Sequence, residues 1–255
     1  MEPIVSRTLS VHKEHEVLLK LEAAGLDDAL AQRVVDSKGN DLAMKVVRLI
    51  RNGGFEPTTS QKQARAIMGA NFFGVEEAIR HFGANPSSQQ LVHLAEVPFT
   101  EEALQSRKDT HILAAVFRMS ILDIRGLFKD QSLFYEQDWY NKEKFAKDKG
   151  QLGWQLVRKT PVPGSTNKIW AEQQALLAPD EQTPAARVVV YTIIGHFKAT
   201  GERLFKDVYV RCSDLGSDGV RFSVGCFVRS GLFVDCRDGH HYVNIGLSSS
   251  PKFEN

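Results

Sequence analysis

Val220-Arg221-Phe222-Ser223-Val224-Gly225-Cys226-Phe227-Val228 decides how the rest of the chain is read. Apolar residues alternate there with a period of two, the spacing that puts every second side chain on one face of a strand. The same alternation runs through Val208, Val210 and Cys212 before it, then Leu232, Val234 and Cys236, then Val243, Ile245 and Leu247. Asp214 to Gly219, Ser230-Gly231 and Asp238-Gly239 fall between these runs and carry the residues that hairpin turns require. The pattern predicts a four-stranded antiparallel meander with one buried face, followed by a frayed tail from Ser248 to Asn255.

Working outward, Thr183-Pro184 marks a helix start and Gly201 its stop. Between them Val189, Ile193 and Phe197 form a stripe fit to lie on the sheet. The run from Val188 to Ile194 is rich in β-branched residues, which favour strands, so the assignment to helix rests on the caps. Farther upstream, helical spacing recurs from Glu14 to Ile50 in three short segments, and caps at Thr59 or Ser60, Ser87 or Ser88, and Thr100 open further helices. Ile112 to Phe117 and Ile121 to Ile124 are short apolar runs that fit buried strands, the first also fitting a helix. Asn141 to Lys149 reads as a charged helix, Leu152 to Lys159 as an extended segment, and Ser165 or Thr166 as the cap of a helix holding Trp170. The expected fold is therefore α+β: a helical region over 1–108, then a mixed domain over 109–255 that ends in the antiparallel sheet.

Trp139-Tyr140, Phe145-Ala146 and Gly153-Trp154-Gln155-Leu156-Val157-Arg158-Lys159, running on through Pro163, Ser165-Thr166, Lys168, Trp170 and Glu172-Gln173, resemble an uncharacterised family of bacterial hypothetical proteins. The similarity continues through Tyr191-Thr192-Ile193-Ile194-Gly195 and Tyr209-Val210-Arg211-Cys212. The resemblance implies no activity and carries over no catalytic residue or ligand.

With 255 residues, 42% hydrophobic and 25% charged, the composition is that of an ordinary globular chain. Three cysteines, no apolar leader after Met1 and no run long enough to span a bilayer give the expectation of a reduced, cytoplasmic location without membrane contact. A net charge of +1 requires any polyanion contact to come from a local patch.

Two such patches stand out. The residues opposite the apolar parity of the sheet include Tyr209, Arg211, Arg221, Phe227, Arg229 and Arg237. The stretch holding all three tryptophans adds Trp139, Tyr140, Trp154, Arg158, Lys159 and Lys168. Guanidinium groups beside rings suit single-stranded nucleic acid, where phosphates meet cations and bases stack. A protein partner is the other expected occupant, and aromatics on both parities also fit a sheet covered on both faces, the outer one by the Trp139–Trp170 region. The function read from these residues is non-catalytic binding, and no catalytic residue is assigned. The rival reading is a hydrolase or nuclease assembled from scattered groups such as His111, Glu172, His196 or Asp214, because no phosphate loop, nucleophile elbow or zincin motif is present. Cys212, Cys226 and Cys236 lie on separate strands at apolar parity, and adjacent His240 and His241 point to opposite sides, so no metal or cofactor site is expected. The short Gly69–Gly74 link between two helices has helix-turn-helix form, but Glu76 and Glu77 open the second helix where a DNA reader needs donors.

Overall fold

The central element is a helix buried on every side. Residues 186–196 of this helix, Ala186–Thr200, are all buried, and every neighbouring layer packs against it. The β-branched run is helical because burial all round removes the amphipathic pattern and lets packing override propensity. In the computed structural model the described residues are 8–236 and 240–252.

The chain divides into two compact units, Met1–Gly54 and Phe55–Asn255. The first contains α1 (Val11–Ala23), α2 (Asp28–Val35) and α3 (Asp41–Arg51), with Ser10 and Asp27 accepting from the Lys13 and Leu30 N–H groups as N-caps. The division does not fall at 108/109. Residues 55–108 belong to the core of the second unit, because Phe72 and Phe73 form a short strand inside its sheet.

The second unit opens with α4 (Thr59–Met68), β1 (Phe72–Phe73), α5 (Val75–Phe82), α6 (Ser88–His93) and α7 (Glu101–Arg107). Thr58, Ser87 and Thr100 cap α4, α6 and α7. The helix-turn-helix reading fails on burial: Arg65 of α4 pairs with Glu76 and Glu77, both at 2.8 Å, and both carboxylates are buried.

β2 (His111–Val116) runs parallel to β1 and antiparallel to β3 (Gly153–Arg158). The run at Ile121, expected as a strand, is α8 (Ile121–Leu127). Ser120 and Asp123 exchange a reciprocal capping box there, a local signal that overrides a four-residue apolar run. The expected helix over 141–149 is a 3₁₀ turn at Trp139–Lys142 followed by α9 (Lys144–Lys147). The helix expected from Ser165 is only α10 (Trp170–Gln174), and β4 (Glu181–Gln182) leads into the central helix, α11 (Ala186–Thr200).

The C-terminal sheet has the order β7-β6-β5-β8, with β5 (Tyr209–Leu215), β6 (Arg221–Val228), β7 (Gly231–Cys236) and β8 (Ile245–Leu247). β5, β6 and β7 form the antiparallel meander. β8 crosses back to lie parallel beside β5 rather than continuing the meander beyond β7. The tail is not frayed as far as Pro251. Ser248, Ser249 and Ser250 are buried, and β9 (Ser250–Pro251) pairs with β4. The expected turn at Asp238-Gly239 lies outside the described residues.

Candidate functional site

Where α11 stops, the chain makes a cleft. Gly201 takes φ 78° and donates to the Phe197 carbonyl, and Thr200 both donates to the His196 carbonyl and accepts from the Glu202 N–H. This ending brings Glu202 back to the buried His196, with Nε2 to Oε2 at 2.9 Å. The bond from His196, with Lys159 and Lys206 nearby, holds the Glu202 carboxyl below its ordinary value despite some burial.

Residues 202–208 and Lys159-Thr160-Pro161 line an open cleft of about 350 Å³. Three cations line it, Lys159, Arg203 and Lys206, with Glu202 and Asp207 as the acids. The Arg203 guanidinium carbon lies 4.5 Å from the centre of the Phe197 ring and 5.1 Å from that of Phe227, stacked where its fork keeps one orientation. Its Nε is buried and has no hydrogen-bond acceptor among the described residues.

A bulge in β6 positions that platform. The pairing with β7 shifts between Gly225 and Val228, Cys226 takes φ 48°, and the Cys226 and Phe227 N–H groups donate to the Val208 and Phe205 carbonyls. One extra residue in the strand reverses the parity beyond it. Phe227, expected on the outer face, is consequently fully buried against Phe197, while Cys226 and Val228, expected inside, are partly exposed.

The expected basic and aromatic sheet surface is not an open face. Arg211 is 1% exposed; its guanidinium donates to the carbonyls of Lys168 and His240 and to Gln173 Oε1. Residues 161–173 cover it, because β5 lies inside the sheet with β8 beyond it, and Ser165 and Gln173 bond the β8 backbone. Tyr209 is buried, and Phe233 stacks on Tyr135 at 4.0 Å. Tyr140 and Trp154 are core residues, Trp154 donating from its indole to the Leu94 carbonyl. Trp139 is 40% exposed, but its ring sits among Tyr140, Phe145 and Phe222. Arg221 lies 3.7 Å over the Trp170 ring and donates to the Ser213 carbonyl. Arg158 is half-buried at the end of β3, Lys168 is half-buried, and Arg229 is exposed. Arg237 lies outside the described residues. Of the expected group only Lys159 reaches the cleft. Its partners there, Arg203 and Lys206, follow a helix stop at Gly201 and flank Phe205, an interleaving of cations and a ring that marks the loop in the sequence.

The scattered groups of the hydrolase reading each meet a different neighbour, His196 meeting Glu202. Asp214 accepts from the Ala186 N–H at 2.6 Å at the start of α11, and burial raises its carboxyl above the ordinary value. Glu172 accepts from the Ile169 N–H in the first turn of α10, and His111 is buried beside Thr110. Cys212 is buried, Cys226 partly so and Cys236 exposed. Among the described residues no group of three histidine, cysteine or carboxylate side chains converges as a metal set, and no helix is long and apolar enough to cross a membrane. Set against family models, curated proteins and solved structures, the chain matches none of them.

Proposed function

We propose that the protein is a non-catalytic binding protein that takes a phosphate group, carried by a nucleotide or by single-stranded nucleic acid, in the cleft between residues 159–161 and 202–208. The observation that carries this reading is the Arg203 guanidinium, fixed over the Phe197 and Phe227 rings in a cleft that Lys159 and Lys206 also line. A planar fork flanked by two flexible ammonium groups matches a tetrahedral oxyanion. The site recognises a phosphate rather than a run of bases, since the rings that would stack on bases are used in the core.

Titration calorimetry with inorganic phosphate and with a 5′-phosphorylated oligonucleotide tests this across a salt series. Lys206→Glu and Lys159→Glu, both away from the core, are expected to weaken binding roughly tenfold or more each, about 1.4 kcal/mol or more. Affinity for the oligonucleotide is expected to fall with salt. No heat from either ligand at low salt, or wild-type affinity in both variants, overturns the reading.

A further inference from the structure

The first unit is built of amphipathic helices that bury none of their own residues. In α1, α2 and α3 no side chain is buried, and Met44, Val47 and Ile50 of α3 are more than half exposed, as is Val35 of α2. One face of α3 forms a groove of about 450 Å³ lined by Asn40, Ala43, Met44, Val47, Arg48 and Arg51. These positions recur at three and four residues, so they share one side of the helix: an apolar strip with arginines along its C-terminal half. Ser10 and Asp27 cap α1 and α2, whereas apolar contact within the unit leaves this strip exposed. Contiguous apolar surface of this kind marks an interaction site.

The charge of the unit is divided along the chain. Residues 11–36 hold six acidic side chains against three basic ones, and residues 37–51 hold four basic against one acidic. α2 lies against α3 in the same chain, Lys45 pairs with Asp41 within α3, and the groove carries Arg48 and Arg51. α1 supplies the complement: Val17, Leu18 and Leu21 are exposed on a helix that carries Glu14, Glu16 and Glu22 against Lys13 and Lys20.

We infer that the first unit is a self-association module in which α1 of one copy lies in the α3 groove of a second copy, and the reverse. A two-fold axis makes the same contact twice, placing the glutamates of each α1 beside the arginines of the other copy's α3. An unrelated partner has to supply an acidic apolar helix of its own, and a second copy brings one at equal concentration. The apolar strip supplies affinity, and the opposed charges fix orientation and pairing.

The test uses the full chain in sedimentation equilibrium. Wild type is expected at twice the mass of one chain. Val47→Glu, which puts a charge in the strip, is expected to run as a monomer with unchanged helix content and an unchanged unfolding transition. Two charge variants give the decisive arm: Arg48→Glu with Arg51→Glu makes both halves acidic, and Glu16→Lys with Glu22→Lys makes the first half basic. Each alone is expected to be monomeric, and an equimolar mixture is expected to recover the dimer. A wild-type chain that stays monomeric at the highest attainable concentration overturns the inference, as does a dimer indifferent to Val47→Glu or a mixture that fails to associate. Phosphate binding is measured at a different unit, so its outcome is separate from this one.

Discussion

Arg187, the second residue of the central helix, lies against Gly150: a Cβ added at Gly150 would overlap the guanidinium. The arginine is buried and donates to the carbonyls of Phe117 and Gln151, joining the end of β2 to the start of β3. Gly150 also takes φ 50°, which a side chain adopts at a cost. Gly150→Ala is expected to destabilise the protein by about 2–4 kcal/mol, strain adding to a displaced buried donor. Urea unfolding measures it, and a change below 0.5 kcal/mol, the size of an ordinary surface substitution, would show that Arg187 has room to move.

Two arginines that look alike in the sequence should separate by stability. Arg211→Ala leaves Gln173 Oε1 and two carbonyls without their buried donor and opens a cavity, so a loss of about 3 kcal/mol or more is expected. Arg229→Ala, on an exposed side chain, is expected to stay within about 0.5 kcal/mol of wild type. Thermal unfolding of both variants decides the matter. Equal and small effects would restore Arg211 to an accessible surface.

The contrast shows what alternation does and does not reveal. The period of two locates β5, β6 and β7 and their common apolar face. It does not say what lies on the opposite face, and Arg211 is covered by residues 161–173, which are distant in sequence. Parity also holds only while the strand is regular, and the bulge at Gly225–Val228 turns Phe227 inward. Helix ends are legible because caps act locally: Ser87 and Thr100 cap as expected, the cap expected at Thr59 or Ser60 is Thr58, and at Ser120 an apolar run outweighs the same signal in the sequence. In the cleft only Lys159 was legible. Arg203 and Lys206 flank a ring that marks the loop in the sequence, but they acquire a role only when the loop folds back on the bulge, a contact between distant segments.

His111 makes stability depend on pH. Burial, reinforced by Arg158 and Arg107, brings its imidazole down to about 4, even with Glu181 Oε1 at 4.0 Å from Nε2. Nδ1 meets the Thr110 hydroxyl at 2.8 Å, and Nε2 is buried without a hydrogen-bond partner. An unfolded histidine titrates near 6.5, so between pH 6.5 and 4 the unfolded chain holds a proton that the folded chain refuses. Stability from this group is complete above pH 6.5 and is lost as the pH falls, by about 2 kcal/mol between pH 7 and 5. His111→Gln removes the titration. Urea unfolding at both pH values should show wild type losing about 2 kcal/mol more than the variant, and parallel losses would mean that the folded imidazole is protonated normally.

Gly225 links the sheet to the cleft. A Cβ at this position would overlap the Val208 carbonyl oxygen and stand 2.7 Å from Tyr209 Cα, both backbone atoms with little freedom to yield. The Val208 carbonyl accepts from Cys226 and the Phe205 carbonyl from Phe227, so separating the strands there releases the loop carrying Arg203 and Lys206. Gly225→Ala is expected to lower stability by about 2–3 kcal/mol, the scale of overpacking a close contact. It is also expected to weaken phosphate binding beyond what the lost stability explains, because the variant remains folded at 25 °C while the guanidinium loses its place over Phe197 and Phe227. Calorimetric phosphate affinity, read beside the unfolding curve, separates the two effects. A destabilised variant that binds phosphate like wild type would show that the bulge serves the sheet alone.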